Sequence, residues 1–134
     1  MKCFTLIFAM ITLCSVSSCN KDKMPTSTSI IGKWRWVKSV GGIAGSTVTP
    51  QSTGYNLSEE FKADSTFKRF KNDSLIAQGK FSIVRNYKYA STETIDVLKT
   101  GGPDDLAFVI RNDSLFVSDI FISDGFNTAY VRVK

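Results

Sequence analysis

The sequence contains no histidine, and its three cysteines all lie at the N-terminal end, at positions 3, 14 and 19. Without histidine the chain cannot form a Ser-His-Asp or Cys-His catalytic group, a Cys/His zinc site or a histidine-held haem site. No glycine-rich loop followed by a helix is present, so a phosphate-cradling nucleotide site is not expected. These absences exclude most of the common enzyme chemistries and predict a protein without a cofactor.

Carboxylates are the remaining catalytic side chains, and their spacing does not indicate an active site. Glu59 and Glu60 are neighbours in a predicted strand, so their side chains point to opposite faces and cannot share a site. Asp104 and Asp105 lie in a predicted loop. A glycosidase needs two carboxylates across a cleft, and a calcium loop needs a spaced ladder of oxygen ligands. Neither pattern occurs, so we predict no metal and no enzyme activity.

Basic residues are scattered singly along the chain, and the formal net charge is a mild +5. Nucleic-acid binders usually concentrate their positive charge in a patch or stripe. The sequence therefore predicts solvated strand faces and no nucleic-acid partner.

The N-terminal end has the order of segments found in lipoprotein signal peptides. A short basic start precedes an uncharged apolar run over residues 4–16, which is shorter than the roughly 20 residues of a membrane-spanning helix. Val16-Ser17-Ser18-Cys19 resembles the lipobox of bacterial lipoproteins, with Val16 in place of the usual leucine. The resemblance implies cleavage after residue 18, lipid attachment at Cys19, and anchoring in the bacterial cell envelope, with the outer membrane expected and the leaflet open. An ordinary secretory signal that contains a cysteine is the alternative.

The remaining chain divides into a tether and one all-β domain. Residues 20–29 are polar and lack an apolar period, which predicts a flexible tether after the lipidated Cys19. From residue 30 to residue 134, apolar and polar side chains alternate in about eight short segments. Trp34, Trp36 and Val40 form one such apolar row. We therefore predict a signal peptide over residues 1–18, a lipidated tether over 19–29, and a β domain over 30–134.

Short turns join most of the predicted strands. Lys71-Asn72-Asp73-Ser74-Leu75 and Arg111-Asn112-Asp113-Ser114-Leu115 share one turn chemistry, in which Asn and Asp tolerate the positive φ of a tight hairpin. The Asp-Ser pairs also resemble the acceptor of some bacterial O-glycosylation systems, although turn formation alone explains them. Only residues 41–54 and 99–105 form long connections, and this wiring is typical of a small antiparallel up-and-down barrel of about eight strands.

Several motifs resemble one family. Gly32-Lys33-Trp34 in the first predicted strand matches the Gly-x-Trp of lipocalins, and Arg132 in the last strand is a candidate for the arginine that packs over that tryptophan. Residues 31–37, 60–67 and 79–83 are similar to segments of the small lipocalin-like lipoproteins of bacteria. The resemblance covers residues 30–134. The chain is shorter than most lipocalins and lacks their helix after the barrel. The resemblance implies a calycin-type barrel closed structurally by Gly32, Trp34 and Arg132.

A barrel of eight strands is wide enough for its own side chains or for one small ligand. The resemblance therefore implies a small apolar or amphipathic ligand. Candidate ligand-binding residues are Trp36, Tyr55, Phe61, Phe67, Arg69, Phe81 and Tyr130. If Phe67 and Arg69 face inward, an apolar wall with one cation would suit an anionic head group; if Lys68 and Phe70 face inward, it would not. The pattern leaves both orientations open.

A filled barrel is the alternative to a ligand-binding one. The function would then lie in the loops, and the long connection over residues 41–54 would bind a protein or glycan partner or inhibit a secreted enzyme. An open cavity with an apolar lining would favour the small ligand.

Overall fold

The structure, a computed structural model, describes residues 29–134. The predicted signal peptide, Cys19 and all but the last residue of the predicted tether lie outside them. The described chain forms ten strands and one helical turn: β1 (Gly32–Gly41), β2 (Ser46–Val48), α1 (Pro50–Thr53), β3 (Leu57–Phe61), β4 (Thr66–Lys71), β5 (Ser74–Lys80), β6 (Ser82–Lys88), β7 (Thr94–Lys99), β8 (Leu106–Arg111), β9 (Ser114–Asp119) and β10 (Asn127–Arg132). In this part of the chain, no helix is long and apolar enough to cross a membrane.

All ten strands belong to one antiparallel sheet, which confirms the all-β prediction. The strand order is β5-β4-β3-β1-β10-β9-β8-β7-β6, and the short β2 pairs with β1 outside this path. The first and last strands of the domain are neighbours in the middle of the sheet, where Trp34 lies opposite Arg132. The remaining neighbours along the path follow one another in sequence, as in a meander, except that β2 and α1 lie between β1 and β3.

The sheet is not closed into a barrel, so this part of the fold prediction is wrong. No ladder of hydrogen bonds joins the two edge strands, β5 and β6. These strands are consecutive in sequence and are separated only by Phe81, whose amide donates to the carbonyl of Ser65 at 2.8 Å. The Phe81 ring is buried and meets Phe61 edge-on, with ring centroids 5.2 Å apart. The two edges are thus connected by the chain itself.

Two strands account for the difference between the ten observed and the eight or so predicted. The break at Phe81 divides one extended stretch into β5 and β6. The other additional strand, β2, forms within the long connection over residues 41–54, which also contains α1. Thr49 caps this turn, because its hydroxyl accepts from the amide of Ser52 and its own amide donates to the Ser52 hydroxyl. The connection is therefore an ordered part of the fold.

One face of the sheet buries the apolar core, and both halves of the sheet contribute to it. The buried cluster consists of Ile30, Trp34, Trp36, Phe61, Phe67, Phe81, Leu98, Phe108, Leu115, Val117 and Tyr130. Full burial of one such side chain contributes about 1.5–3 kcal/mol. This cluster therefore stabilises the domain far more than its single helical turn.

A β-bulge in β1 changes the orientation predicted for the end of that strand. The pairing with β10 shifts between Trp36 and Lys38, so one extra residue is inserted there. Because side chains alternate with a period of two, the extra residue reverses the faces that follow. Ser39 consequently shares the inner face with Trp36 and accepts a hydrogen bond from its Nε1 at 3.0 Å, whereas Val40, predicted for this row, does not lie in it.

The two hairpin turns with similar sequences have the backbone geometry that their residues predict. Asn72 and Asp73 have φ values of 46° and 65°, and Asn112 has a φ of 55°. These turns join β4 to β5 and β8 to β9, which confirms the hairpin prediction at both places.

At one end of the core, Arg132 lies over the ring of Trp34. The guanidinium carbon is 4.1 Å from the ring, and the nitrogens donate to the carbonyls of Ile31 and Ser29 at 2.8 and 2.7 Å. Gly32 has a φ of 134°, and a Cβ at this position would lie 2.7 Å from Nη1 of Arg132. The Gly-x-Trp sequence and the arginine therefore form one packed unit.

Candidate functional site

The inner face of the sheet carries one buried carboxylate, Glu59 in β3. Glu59 is opposite Arg69 of β4 in the strand register and is 5% exposed. Arg69 donates to Glu59 Oε1 through Nε at 2.8 Å and through Nη2 at 2.7 Å. Phe67, two residues earlier, is buried in the core, while Phe70 lies on the other face near Lys33. Phe67 and Arg69 therefore face inward, the alternative that would suit an anionic head group.

Tyr130 of β10 completes the group. Its hydroxyl donates to the same oxygen, Glu59 Oε1, at 3.3 Å. Within residues 29–134, neither Oε2 of Glu59 nor Nη1 of Arg69 forms a hydrogen bond or an ion pair. In this trio (Glu59, Arg69 and Tyr130), Oε2 of Glu59 thus stays available as an acceptor, and Nη1 of Arg69 stays available as a donor, to a molecule beside it.

Two members of the trio, Arg69 and Tyr130, keep their protonation states over a wide pH range. Burial raises the pKa of the Tyr130 hydroxyl far above its usual range, and the negative charge of Glu59 adds to this effect. Burial has the largest single effect on the pKa of Arg69 and would lower it, but the charge of Glu59, the interaction with Tyr130 and the hydrogen bond to Glu59 together outweigh burial, and the pKa is raised. At neutral pH, Arg69 is a cation and Tyr130 is a neutral hydrogen-bond donor.

Two cavities lie beside the trio and share Arg69, Phe126, Thr128 and Tyr130 in their walls. The first, here called the aromatic cavity, has a volume of about 530 Å³ and is lined by Trp36, Ser39, Val48, Tyr55, Leu57, Lys71, Ile76 and the shared residues. The second, here called the acidic cavity, has a volume of about 300 Å³ and is lined by Glu59, Leu98, Thr100, Gly102, Pro103, Asp104, Leu106, Val117, Asp119 and the shared residues. Both volumes fall within the range of small-molecule sites.

The aromatic cavity combines a flat apolar wall with positive charge. The rings of Trp36 and Tyr55 are stacked, with centroids 6.0 Å apart and an interplanar angle of 20°. Lys71 Nζ lies 4.1 Å from the Tyr55 ring, and Arg69 lines the same space. The bulge in β1 fixes the position of the wall, since Ser39 binds both Trp36 and the hydroxyl of Thr128.

The acidic cavity has the opposite charge balance. Glu59, Asp104 and Asp119 line it, and Arg69 is the basic residue among its lining side chains. Asp119 accepts a hydrogen bond from the Phe126 amide at 2.8 Å, which positions the Phe126 ring between the two cavities. A cationic group would therefore be favoured here.

The structure brings together four of the seven ligand-binding residues proposed from the sequence. Trp36, Tyr55, Arg69 and Tyr130 line the cavities. The remaining three, Phe61, Phe67 and Phe81, pack in the core and line neither cavity. The centroid of the Phe61 ring is 6.3 Å from that of Phe67 and 5.2 Å from that of Phe81.

Sequence reasoning missed Glu59, although a signal was present. Tyr55, Leu57 and Phe61 form an alternating inner row, and Glu59 interrupts it with a charge where an apolar residue would be expected. A charged side chain in an inner row needs a partner, so Arg69 in the next strand could have been paired with it. Lys71, Asp104 and Asp119 carried no comparable signal.

A third cavity, of about 390 Å³, lies away from the trio. It is lined mainly by outer-face residues of β7, β8 and β9, including Val109 and Phe116. Asp96 is the ionisable residue in its lining, and Arg85 and the Asn86 amide already bind it. This depression therefore offers no convergent polar group to a ligand.

Comparison of the sequence with models of known protein families gives no match, and a search of curated proteins finds no similar protein. The function of the cavities is therefore inferred from their geometry and chemistry.

Proposed function

We propose that this protein is a lipid-anchored, lipocalin-like protein of the bacterial cell envelope that binds a small amphipathic molecule in the aromatic cavity. The observation that carries the proposal is the stacked pair Trp36 and Tyr55 beside the cations Arg69 and Lys71. The envelope location is supported by the lipobox-like Val16-Ser17-Ser18-Cys19. The contact of Arg132 with Trp34, next to Gly32, supports the lipocalin-like assignment.

Energetics explain why the ligand needs a charged group. An apolar body that loses about 200 Å² of surface on the ring wall would contribute roughly 5 kcal/mol. Association costs a similar amount or more, at about 4–15 kcal/mol. The free energy gained from apolar contact alone therefore roughly cancels the lower end of the association cost. Each hydrogen bond to a charged group adds about 1.5–3 kcal/mol to the gain. The anionic group that binds Arg69 and Lys71 decides whether the complex is stable.

We propose binding without catalysis. Glu59, the buried carboxylate nearest to the ligand, accepts hydrogen bonds from both Arg69 and Tyr130 through one oxygen. Arg69 remains charged, and Tyr130 remains protonated because of its raised pKa. This trio therefore suits recognition of a ligand better than proton transfer.

Native mass spectrometry tests the proposal directly. The full chain is purified from its own host in a mild detergent and measured before and after denaturation. We expect an additional mass that is lost on denaturation and whose formula contains an anionic group. A clean mass of the lipidated chain, together with no fluorescence enhancement of the anionic aromatic probe anilinonaphthalene sulfonate, would contradict the proposal.

A protein-binding role is the second candidate, and one observation favours it. Ile43, at the tip of the β1–β2 hairpin, is 94% exposed, which is unusual for a large apolar side chain. In this alternative, Ile43→Ser would abolish capture of a partner, and substitutions in the aromatic cavity would not. A variant at Ile43 that leaves all binding unchanged would rule this role out.

A further inference from the structure

The two cavities carry opposite charges and meet at a single ion pair. On one side, Arg69 and Lys71 line the aromatic cavity; on the other, Glu59, Asp104 and Asp119 line the acidic cavity. A ligand with only an anionic group would use the first side and leave the second without a counter-charge.

We infer that the ligand is a zwitterion, with an ammonium group in the acidic cavity beside its anionic group in the aromatic cavity. This inference rests on the proposed function and specifies the chemical class of the ligand. The ammonium group would bind Oε2 of Glu59, a residue that is only 5% exposed and whose Oε2 has no bonding partner within residues 29–134. The anionic group would bind Nη1 of Arg69 and the amine of Lys71.

The geometry of the ion pair allows both contacts at once. Nε and Nη2 of Arg69 and the hydroxyl of Tyr130 all bind the same oxygen of Glu59, at 2.7–3.3 Å. The ion pair therefore stays intact while Oε2 accepts a hydrogen bond from the ligand and Nη1 donates one to it. Because the guanidinium and the carboxylate are in direct contact, the two ligand charges must also be close together. A molecule in which a phosphate and an amine are separated by a short linker fits this requirement.

An organic cation fits the acidic cavity better than a metal ion. Across the described residues 29–134, no three carboxylates come close enough together to hold a metal. The aromatic rings of Phe126 and Tyr130 also line this cavity. An ammonium group gains from aromatic faces as well as from carboxylates, whereas a metal ion needs convergent oxygen ligands.

Four related probes separate the contributions. They are dodecyl phosphoethanolamine, dodecyl phosphate, dodecylammonium and phosphoethanolamine without a chain, each titrated into the full lipidated chain below its micelle concentration. We expect the first probe to bind about tenfold more tightly than dodecyl phosphate, as one additional charge-assisted hydrogen bond predicts. Binding of phosphoethanolamine alone at equal affinity would identify a free polar metabolite as the source of the zwitterion instead of a chain-bearing amphipath.

Substitutions in the acidic cavity test whether its carboxylates cause the tighter binding of the zwitterionic probe. Glu59→Gln should remove the preference for the zwitterion over dodecyl phosphate, and Asp104→Asn, in an exposed loop, should reduce it without affecting folding. Glu60→Gln, on the other face of β3, should change nothing. Equal binding of the two chain-bearing phosphates to the unmodified protein would overturn the inference and leave the proposed function intact. Failure of every chain-bearing probe to bind would instead overturn the proposed function.

Discussion

The guanidinium of Arg132 rests 4.1 Å from the ring of Trp34, and the same group holds the carbonyls of Ser29 and Ile31. One side chain of the last strand thereby secures the first strand and the residues before it. The contact joins the two ends of the domain in the middle of the sheet, where β1 and β10 pair.

Replacing Arg132 should destabilise the domain. Arg132→Met keeps an apolar stem over Trp34 but removes two hydrogen bonds and the cation–π contact. We expect the free energy of unfolding in urea to fall by about 1–3 kcal/mol. Arg111→Met, at an exposed position of β8, is the control and should stay within about 0.5 kcal/mol of the parent. Equal stability of the two variants would show that the Arg132 contact contributes nothing.

Removing the charge of Glu59 should be costly because Arg69 would lose its partner. Glu59→Gln should lower the free energy of unfolding by about 1–3 kcal/mol, a range kept modest because the Arg69 side chain is 39% exposed and partly hydrated. Glu60→Gln is the matched control on the opposite face. Replacing both partners, as Glu59→Leu with Arg69→Met, should recover most of the loss. A double variant that is less stable than Glu59→Gln would contradict this explanation.

Tyr130 should make the protein sensitive to high pH. The pKa of its hydroxyl is raised in the folded state, chiefly by burial, so the unfolded chain loses this proton first, near pH 10. The contribution to stability is complete below that pH and is lost as the pH rises above it. The parent and Tyr130→Phe should therefore show equal phenolate absorbance until the protein unfolds, and differ by one tyrosine afterwards. A difference between them while both are folded would refute the prediction.

Lys71 should contribute to anion binding in the aromatic cavity. Lys71→Gln removes a cation near Tyr55 without disturbing a buried pair, so we expect the dissociation constant of anilinonaphthalene sulfonate to rise about three- to tenfold. Lys68→Gln is the control, since Lys68 lies on the same strand but on its other face. Fluorescence titration at constant protein concentration measures both. Equal effects of the two substitutions would place the probe outside the cavity.

Gly41 should control the wall that the two cavities share. A Cβ at this position would clash with the carbonyl oxygen of Gly125 and would lie 2.8 Å from Cα of Phe126. Gly41→Ala therefore has to displace the segment that carries Phe126, and we expect a loss of about 1–3 kcal/mol in stability together with weaker probe binding. Gly45→Ala is the control, because its φ of 60° brings strain but no clash. It should cost about 1 kcal/mol and leave probe binding unchanged.

Local patterns predicted the strands and turns well, because alternation and turn chemistry depend on residues close in sequence. The hairpin at Asn72-Asp73 is one example. Features that depend on pairing between strands were not predictable in the same way. The bulge after Trp36 exchanged the faces of Ser39 and Val40, and the missing ladder at Phe81 left the sheet open.

The candidate site was predictable in part for the same reason. The alternation of apolar and polar residues identified Trp36, Tyr55 and Tyr130 as inward-facing. Whether an inward-facing aromatic residue lines a cavity or fills the core depends on its position in the folded sheet, which alternation does not give. Phe61 and Phe81 have the same pattern in sequence as Tyr55, yet they fill the core. Glu59 had a signal, but its meaning required the register that places it opposite Arg69.

The bonds from Arg132 to Ser29 and Ile31 also determine how the domain responds to a mechanical pull at its N-terminal side. A pulling force applied at Ser29 acts on β1 through the backbone and also on β10 through the hydrogen bond from Arg132 to the Ser29 carbonyl. Since β1 is paired on both sides, with β3 and with β10, extracting it would require two ladders to fail together. A chain tethered through this end would therefore resist stretching with its central strands.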